Sequence, residues 1–440
     1  MMETMKDSGI RWIGEIPESW NTKRIKYVAN LKGRIGWQGL TSDEYQDEGA
    51  YLITGVDFLN GGIDWENCFH VPMKRWEEAK DIQIENGDLL ITKDGTVGKV
   101  AIVSDMPGET SLNSGVLRIM PFEGYSRRFL YWVIQSEEFW NWFNYKNAGN
   151  STIIHLYQGD FAEFVYAFPS YGQQEAIADY LDKHCAKLDS IISDLEAQIE
   201  TLQKYKKSLI TETVTKGLDK SAPMKDSGID WIGKVPERWN IERLKYVAKI
   251  KTGTTPDGND GIIYYDDSES IMWFTPGDLS ESAFDLVESE KRITFESIKR
   301  YGISEYPCNS VLLVAIGATI GKVGCAVEKS YSNQQITALM PNRMNAKYLT
   351  YVFVSANQYI KDNALFTTLP IMNNQYIGNI KLVIPSEAEQ SAIVDYLDQK
   401  CRDIDNILST KTSELEKIKD HKSSLIFEYV TGKKSIKEAI

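Results

Sequence analysis

Apolar residues recur every seven positions in two long segments of the chain. In the first segment the two apolar rows are Leu181, Leu188, Leu195, Leu202 and Leu209, and, four positions later, Cys185, Ile192 and Ile199. In the second segment the rows are Leu397, Ile404, Ile418 and Leu425, interrupted by Lys411, and Cys401, Leu408 and Leu415. This spacing is that of the a and d positions of a coiled coil. Each segment is therefore predicted to form a long helix with one apolar stripe.

The two stripes are predicted to pack against each other. A helix over residues 173 to 214 would be about 60 Å long at 1.5 Å per residue, and its apolar stripe needs a partner. Polar Lys206 and Lys422 stand at matching positions in the stripes, where a polar group fixes the register of two helices. Because a folded body must connect the end of the first helix to the start of the second, the helices are predicted to run antiparallel. Cys185 and Cys401 would then lie too far apart for a disulfide.

The regions that precede the two helices alternate short β-branched runs with turn residues, as strands and their connections do. Strands are predicted at residues 89–92, 100–103, 116–120 and 311–316, and short helices at residues 125–145 and 346–364. Each of these regions is interpreted as a mixed α/β domain.

The two halves of the chain repeat one another. Residues 5–29 and 224–248 are identical at 18 of 25 positions, and residues 169–215 and 385–431 at 21 of 47 positions. The predicted fold class is α+β, with two mixed α/β domains at opposite ends of an antiparallel two-helix coiled coil and a pseudo-two-fold internal repeat. The expected boundaries are 1–168 for the first domain, 169–218 for the first long helix, 219–384 for the second domain and 385–440 for the second long helix. Such a geometry suits a target with two oppositely directed parts.

The chain is acidic. Its 440 residues carry a net charge of −13, of which −8 falls on residues 1–168 and −1 on residues 223–384. Lys and Arg supply most of the sequence-independent affinity for DNA, so either DNA is not the ligand or a partner supplies positive charge. The longest apolar run, 311–321, is shorter than the roughly 18 residues of a membrane span, and no signal peptide opens the chain. We therefore expect a cytoplasmic protein that does not bind membranes.

Patterns of catalytic or metal-binding residues are missing from the sequence. The five cysteines form no CxxC pair, and the four histidines form no recognisable triad, since His184 and His421 fall on the predicted helices and His70 and His155 have no recognisable neighbours. The glycine turns 94–100 and 316–323 lack the spacing of a phosphate-binding Walker loop and are interpreted as tight turns between strands. Their lysines, Lys99 and Lys322, are candidates for a contact to a DNA phosphate. The sequence thus indicates binding rather than catalysis, with no metal or cofactor site in this chain.

Polar loops that differ between the two halves are the candidate readers of bases, because amide, hydroxyl and guanidinium groups pair with base edges. Arg34 is a candidate for guanine and Gln38 for adenine. Each such loop taken alone is more often an ordinary solvent loop, but their divergence between constant flanks favours recognition. The remaining candidates are Trp37, Asn150, Ser151, Thr152, Thr254, Thr255, Asn259, Tyr264, Asn333, Gln334, Thr367 and Thr368.

Several motifs together resemble the specificity subunit (HsdS) of type I restriction-modification systems. Both halves open with W-I-G-x-x-P-x-x-W (12–20 and 231–239) and begin their long helix with P-S-x-x-x-Q (169–174 and 385–390). Both also contain a glycine-lysine turn, G-T-V-G-K-V at 95–100 and G-A-T-I-G-K-V at 317–323, and the second half contains W-F-T-P-G-D at 273–278. The resemblance covers essentially the whole chain, although the first half lacks a clear counterpart of Thr255-Pro256.

The resemblance implies a non-catalytic DNA-binding subunit. It implies that two target-recognition domains each read half of a bipartite site in double-stranded DNA. The paired helices would set the spacing and dock two modification (methyltransferase, HsdM-like) subunits, and restriction (HsdR-like) subunits would complete the complex. S-adenosylmethionine, ATP and Mg are then expected on the partner subunits and not in this chain. Partner subunits would also supply the positive charge that this acidic chain lacks.

Two alternatives stay open at this point. The first is a free-standing DNA-binding regulator with two domains, which would be isolated alone and not with a methyltransferase. The second is a duplicated nucleotide hydrolase that uses the glycine-lysine turns; its activity would be lost on changing both Lys99 and Lys322.

Overall fold

The computed structural model describes residues 4–34, 39–148, 155–257, 271–280, 283–366 and 369–436. The chain forms two compact units: unit 1 comprises Met1–Leu195 and Glu414–Ile440, and unit 2 comprises Glu196–Ser413. The division falls inside both long helices.

The helices include two of exceptional length. In chain order they are α1 (Met73–Glu78), α2 (Arg127–Gln135), α3 (Glu137–Lys146), α4 (Gln158–Ala162), α5 (Tyr171–Lys216), α6 (Phe295–Tyr301), α7 (Ala346–Ser355), α8 (Asn357–Asn363), α9 (Asn374–Asn379) and α10 (Glu387–Val430). The helix predicted at 125–145 is two helices, because Ser136 between α2 and α3 has an extended backbone. The helix predicted at 346–364 is likewise divided, at Ala356 between α7 and α8.

The strands are short. Those of unit 1 are β1 (Met5–Asp7), β2 (Glu15–Pro17), β3 (Asn21–Arg24), β4 (Ala29–Gly33), β5 (Ala50–Ile53), β6 (Phe58–Leu59), β7 (Gly62–Ile63), β8 (Phe69–Val71), β9 (Leu89–Thr92), β10 (Val100–Ile102), β11 (Thr110–Leu112), β12 (Val116–Pro121) and β13 (Val165–Phe168). Those of unit 2 are β14 (Met224–Asp226), β15 (Lys234–Pro236), β16 (Asn240–Arg243), β17 (Ala248–Thr252), β18 (Ile271–Phe274), β19 (Asp285–Leu286), β20 (Arg292–Ile293), β21 (Ser310–Val314), β22 (Val323–Ala326), β23 (Tyr331–Ser332), β24 (Ile336–Pro341), β25 (Leu365–Phe366), β26 (Pro370–Ile371) and β27 (Lys381–Ile384). The strands predicted at 89–92, 100–103, 116–120 and 311–316 are confirmed as β9, β10, β12 and β21.

Unit 1 is built on a main antiparallel sheet with the order β10-β9-β12-β4. A smaller sheet has the order β11-β5-β8, in which β11 and β5 are parallel. One apolar core joins the main sheet to α2 and α3, and it includes the aromatic side chains of Phe129, Phe139 and Trp142. All four residues of β9 are buried, as expected for a strand covered on both faces.

Unit 2 repeats this plan. Its main sheet has the order β17-β24-β21-β22-β19, and its smaller sheet has the order β20-β18-β23. In the main sheet, β17, β24, β21 and β22 correspond in order and antiparallel pairing to β4, β12, β9 and β10 of unit 1. The duplication in the sequence is therefore a duplication of topology.

The W-I-G-x-x-P-x-x-W motif holds the end of a long helix. In unit 1, Lys433 Nζ donates to the carbonyl oxygens of Ile13 and Glu15 at 2.8 and 2.9 Å. Gly432, with φ +72°, ends α10 in the left-handed conformation that favours glycine. A Cβ at this position would lie 2.5 Å from Pro17 Cδ, so both the backbone conformation and the available space favour glycine at the helix end.

The second copy of the motif makes the same contact within unit 2. Lys216 Nζ donates to the carbonyl oxygen of Ile232 at 3.1 Å and to that of Lys234. Gly217, with φ +74°, follows the end of α5 and faces the ring of Trp239. The motif is identical in the two halves because each copy receives a helix end.

The P-S-x-x-x-Q motif fixes the start of each long helix. Gln174 is buried, accepts a hydrogen bond from the backbone N–H of Ser126 at 2.9 Å, and donates to the carbonyl of Pro169 at 2.9 Å. In unit 2, Gln390 accepts from the backbone N–H of Asn345 at 2.7 Å. A buried amide satisfied on both sides gives the helix a defined direction of departure from its sheet.

Within unit 1, the part of α5 that belongs to it runs antiparallel to its part of α10. Tyr180 of α5 packs against Tyr429 of α10 with ring centroids 4.4 Å apart. Asp189, later in α5, accepts a hydrogen bond at 2.5 Å from Nζ of Lys422, which comes earlier in α10. Leu181 lies fully buried in this core.

Within unit 2, the two helix segments also run antiparallel. Lys411 Nζ donates to Gln198 Oε1 at 2.6 Å, and Lys206 Nζ donates to Asp405 at 2.7 Å. Lys206 and Lys422 therefore make equivalent ion pairs, since Asp189 and Asp405 are separated by the same 216 residues as the two helix sequences. The polar positions that interrupt the stripes carry matched partners.

The cysteines Cys68, Cys185, Cys308, Cys325 and Cys401 are free thiols. Over the described ranges, no helix combines the length and apolar character needed to cross a bilayer. The same ranges contain no cluster of His, Cys, Asp and Glu able to hold a metal ion.

Candidate nucleic-acid interface

Three connecting segments meet at one end of the main sheet in unit 1. The backbone N–H of Lys93, after β9, donates to the carbonyl of Gly115, before β12, at 2.8 Å. The backbone N–H of Leu156 then donates to the carbonyl of Lys93 at 2.9 Å. We call the described residues 93–94, 113–115 and 155–156 the loop edge of unit 1.

Unit 2 has the same arrangement with different side chains. The backbone N–H of Ala315, after β21, donates to the carbonyl of Gln335 at 2.8 Å, and that of Met372 donates to the carbonyl of Ala315 at 2.9 Å. Residues 315–316, 333–335 and 371–372 are the loop edge of unit 2. One hydrogen-bonded frame therefore presents two different sets of side chains.

In each unit, the residue that follows the first main-sheet strand of the chain, β4 or β17, lies at the loop edge, but the two residues pack differently. Arg34, after β4, is only 5% exposed, and its guanidinium donates to the carbonyl of Leu112 at 2.7 Å and to Ser111 Oγ at 3.2 Å. Burial and, to a smaller extent, the nearby guanidinium of Arg75 lower the pKa of Arg34 to about 10. The guanidinium that was expected to read guanine is thus engaged inside the protein in this structure.

In unit 2 the corresponding position is Gly253. A Cβ on Gly253 would lie 2.1 Å from the carbonyl oxygen of Asn333 and 2.4 Å from that of Ser332. Glycine therefore lets the segment after β17 lie directly against the turn before β24. The backbone N–H of Thr254 donates to the Ser332 carbonyl at 3.0 Å, which holds this contact.

Four candidate readers of unit 2 are brought together by this contact. Thr255 and Gln334 are exposed, and Thr255 Oγ1 donates to Gln334 Oε1. Asn333 is buried; its Oδ1 accepts from the backbone N–H of Gln335 at 3.1 Å, so its side chain shapes the turn. Thr254 is half-buried, and its carbonyl accepts from the Trp273 indole at 3.3 Å. Thr255 and Gln334 are thus the two side chains of this group that are open to a ligand.

The lysines of the two glycine turns lie in different surroundings. Lys99 is exposed, and its backbone N–H donates to Thr92 Oγ1 at 2.9 Å. Lys322 is half-buried and lines a cavity together with lysines of α5. The remaining candidates lie outside the described residues; they are Trp37, Gln38, Asn150, Ser151, Thr152, Asn259, Tyr264, Thr367 and Thr368.

The structure also reveals edge residues that sequence reasoning missed. His155, for which the sequence offered no neighbour, lies with its Nδ1 2.6 Å from Asp94 Oδ1. Asn113 shapes the turn before β12, where its Oδ1 accepts from the backbone N–H of Gly115 at 2.9 Å, as Asn333 does in unit 2. The sequence did contain a signal for Asn113. Aligning the Met-Pro ends of β12 and β24, which are 220 residues apart, pairs Asn113 with Asn333.

A second missed correspondence concerns the T-x-x-D turn after the central strand of each small sheet. Thr275 donates through both its backbone N–H and its hydroxyl to Asp278 Oδ2, at 2.6 and 2.9 Å. Thr54 makes the same two bonds to Asp57 Oδ2, at 2.7 and 2.9 Å. The W-F-T-P-G-D motif therefore has a counterpart in unit 1, which the sequence hides because only the threonine and the aspartate are kept.

Comparison with known proteins agrees with this duplicated plan. The family model described as type I restriction modification DNA specificity domain matches residues 17–201 and again residues 236–417. The putative type I restriction enzyme MjaX specificity subunit of Methanocaldococcus jannaschii is 25% identical over 445 residues, which covers 97% of this chain and 96% of that protein. The type I restriction enzyme EcoBI specificity subunit of Escherichia coli is 22% identical over 446 residues, with coverage of 97% and 88%.

A solved structure of the type I R-M system contains a chain with the same fold. It superposes with a TM-score of 0.66 at 17% identity, and the match covers 95% of this chain and 99% of that chain. At this level of identity the likeness concerns the fold. The two matches of the family model span most of the sequence, and the chain therefore belongs to the family of type I restriction-modification specificity subunits, which recognise DNA and are not themselves catalytic.

Proposed function

We propose that each half of the chain reads one half of a bipartite site in double-stranded DNA. The observation that carries the proposal is the shared hydrogen-bonded frame of the two loop edges, which presents different side chains in the two units. A common frame positions the side chains, and the differing side chains would supply different base contacts. The proposed recognition regions are residues 1–168 and 219–384.

In unit 2, we assign base contacts first to Thr255 and Gln334. Both are exposed, and each carries groups that donate and accept hydrogen bonds. The mutual hydrogen bond restricts both side chains before DNA arrives, which lowers the entropic cost of binding. Lys99 is proposed as a phosphate contact of unit 1, because it is exposed on the turn beside the loop edge. The candidates outside the described residues stay proposals based on sequence.

The long helices are proposed to pair as an antiparallel coiled coil that sets the gap between the half-sites and docks two modification subunits. The antiparallel contacts within each unit support this proposal, as do the matched ion pairs of Lys206 with Asp405 and Lys422 with Asp189. The modification subunits would hold S-adenosylmethionine, and restriction subunits would use ATP and Mg. This assembly would work in the cytoplasm, where the partner subunits and the DNA are found.

The acidic charge of the chain supports a need for partners. A net charge of −13 disfavours tight binding to the phosphate backbone by the chain alone. We expect weak, salt-sensitive DNA binding by the isolated chain and strong, specific binding after the modification subunits are added. The free-standing regulator is disfavoured by the same charge and by the family match.

The experiment that tests the reading role maps methylation by the complex of this chain with its modification subunits. The double variant Thr255→Ala, Gln334→Ala should relax or change one half-site and leave the other half-site intact, because each unit is proposed to read its own half. Gln358→Ala is the matched control, since Gln358 is exposed on α8. Simultaneous change of both half-sites, or no change at all, would contradict the proposal.

A further inference from the structure

Unit 2 contains a cavity of about 510 Å³ between a segment of α5, a segment of α10 and the turn that precedes β22. None of the loop-edge residues lines it. Among the described residues the lining contains four ammonium groups and one carboxylate; these charged residues are Lys204, Lys206, Lys207, Lys322 and Asp405. We call this space the lysine cavity.

Two of the four ammonium groups are already neutralised. Lys204 pairs with Glu200 at 2.6 Å, and Lys206, which is only 6% exposed, pairs with Asp405 at 2.7 Å. Among the residues that the structure describes, no carboxylate lies within ion-pair distance of Lys207 or Lys322. Counted over the described ranges, exposed Lys207 and half-buried Lys322 therefore give the lysine cavity about two uncompensated positive charges, in a protein whose overall charge is strongly negative.

The first half of the chain does not repeat this concentration of charge. The 216-residue repeat of the long helices places Asp420 at the position of Lys204 and Ser423 at that of Lys207. Ser423 Oγ donates to Glu137 Oε1 at 3.1 Å. At two of the four lysine positions, unit 1 thus carries an acidic and a neutral residue, whereas the other two positions keep lysine, as Lys422 and Lys99.

The turns that contribute Lys99 and Lys322 are also packed differently. In unit 1, Trp140 covers Gly98, where a Cβ would lie 2.5 Å from the indole. In unit 2, the smaller Asn357 donates to the carbonyl of the corresponding Gly321 at 2.8 Å. The smaller side chain leaves room beside the turn, and Asn357 itself lines the lysine cavity.

We propose that the lysine cavity binds a phosphoryl group that carries about two negative charges. Lysine ammonium groups bind phosphate as point charges, and a dianion would neutralise Lys207 and Lys322 together. Buried Lys206, held by its ion pair with the partly exposed Asp405, forms a polar wall of the cavity. The volume falls within the range of about 300 to 1,000 Å³ typical of small-ligand sites. The phosphoryl group belongs either to a free phosphate compound or to the backbone of bound DNA.

The test uses the full-length chain and titrates inorganic phosphate and pyrophosphate by isothermal calorimetry in chloride buffer. We expect one saturable site, with pyrophosphate the tighter ligand because it carries more charge. Lys207→Gln should weaken binding about tenfold, and Lys207→Gln, Lys322→Gln about a hundredfold, since each change removes one charge-assisted contact. Lys299→Gln, at an exposed lysine of α6 that does not line the cavity, should leave binding unchanged. Thermal unfolding of each variant confirms that it is folded.

Three results would overturn the assignment: no saturable phosphate binding by the wild-type chain, equal weakening by Lys299→Gln, or unchanged binding by the double variant. A poly-glutamate peptide that binds more tightly than pyrophosphate would also overturn it, in favour of an acidic protein segment. The source is then identified by competition with a short duplex of arbitrary sequence. Displacement of bound phosphate by the duplex identifies a backbone phosphate, and simultaneous binding identifies a free phosphate compound. Because the site uses no loop-edge residue, these outcomes do not depend on the proposed reading function.

Discussion

Replacing Gly253 with alanine should separate the two segments that form the loop edge of unit 2. The new Cβ would lie 2.1 Å from the Asn333 carbonyl oxygen and 2.4 Å from that of Ser332. Both obstacles are backbone atoms and cannot rotate away. To bring the distance from the new Cβ to these oxygens to an ordinary contact of about 3.4 Å, the two segments must move apart by about 1 Å.

That movement breaks two backbone hydrogen bonds of 3.0 Å, from the N–H of Gly253 to Ile336 and from that of Thr254 to Ser332. At about 0.5 to 1.5 kcal/mol for each bond, the expected loss is about 1 to 3 kcal/mol. For a body of this size, each kcal/mol lowers the unfolding temperature by about 2 to 4 °C. The unfolding of unit 2 should therefore shift by roughly 2 to 12 °C.

Differential scanning calorimetry measures this shift, and methylation mapping of the complex shows whether the second half-site is still read. Gly277→Ala is the matched control, because a Cβ there meets only Thr275 Oγ1 at an ordinary 3.7 Å. The control should unfold within about 1 °C of the wild type, as surface changes usually do. An unchanged unfolding temperature and unchanged methylation for Gly253→Ala would refute the close packing of the loop edge.

Three further changes test other parts of the structure. Gly172→Ala on α5 meets no atom within 4 Å, and the second long helix already has Ala388 at this position, so the free energy of unfolding should rise by about 0.5 to 1 kcal/mol in chemical denaturation. Lys433→Met removes two hydrogen bonds to the W-I-G turn and should lower the free energy of unfolding by about 1 to 3 kcal/mol. The control Lys434→Met, at an exposed lysine, should change the free energy of unfolding by less than about 0.5 kcal/mol. Equal effects of the two changes would contradict the role of Lys433 in holding the helix end. Burial raises the pKa of Glu138 well above its ordinary value. The stabilising contribution of this carboxyl group is therefore fully present below the ordinary carboxyl pKa of about 4.3 and is lost as the pH rises through the raised pKa of the folded state. Glu138→Gln should reduce this loss in melting curves taken across that pH range, and an unaltered pH profile would contradict the reasoning.

The elements governed by periodicity and repetition could be predicted from the sequence. The heptad rows predict both long helices because a helix buries one stripe along its whole length, and the structure buries Leu181 and Leu397 as that pattern requires. The repeated motifs marked the places where helix ends meet the sheets. The reason for their constancy needed coordinates, because Gln174 and Lys433 bind backbone carbonyls and N–H groups, which leave no trace in the sequence.

The loop edges were only partly predictable. Thr255 and Gln334 were selected for their chemistry, and the structure brings them together. Arg34 was selected on the same grounds, but its guanidinium turns inward to Leu112, because side-chain direction in a connecting segment depends on contacts about 80 residues away in the chain. The pairing of His155 with Asp94 was hidden for the same reason.

The central proposal is that paired long helices set the distance between two half-sites that are read by two different loop edges. It is tested most directly by inserting one heptad after Leu195 and one after Ser413, where the division between the units crosses the helices, and mapping methylation by the complex. Seven helical residues add about 10 Å, or roughly three base pairs at 3.4 Å each. We expect the same two half-sites separated by a gap about three base pairs longer. Methylation with the original gap, or at an uninterrupted site, would contradict it.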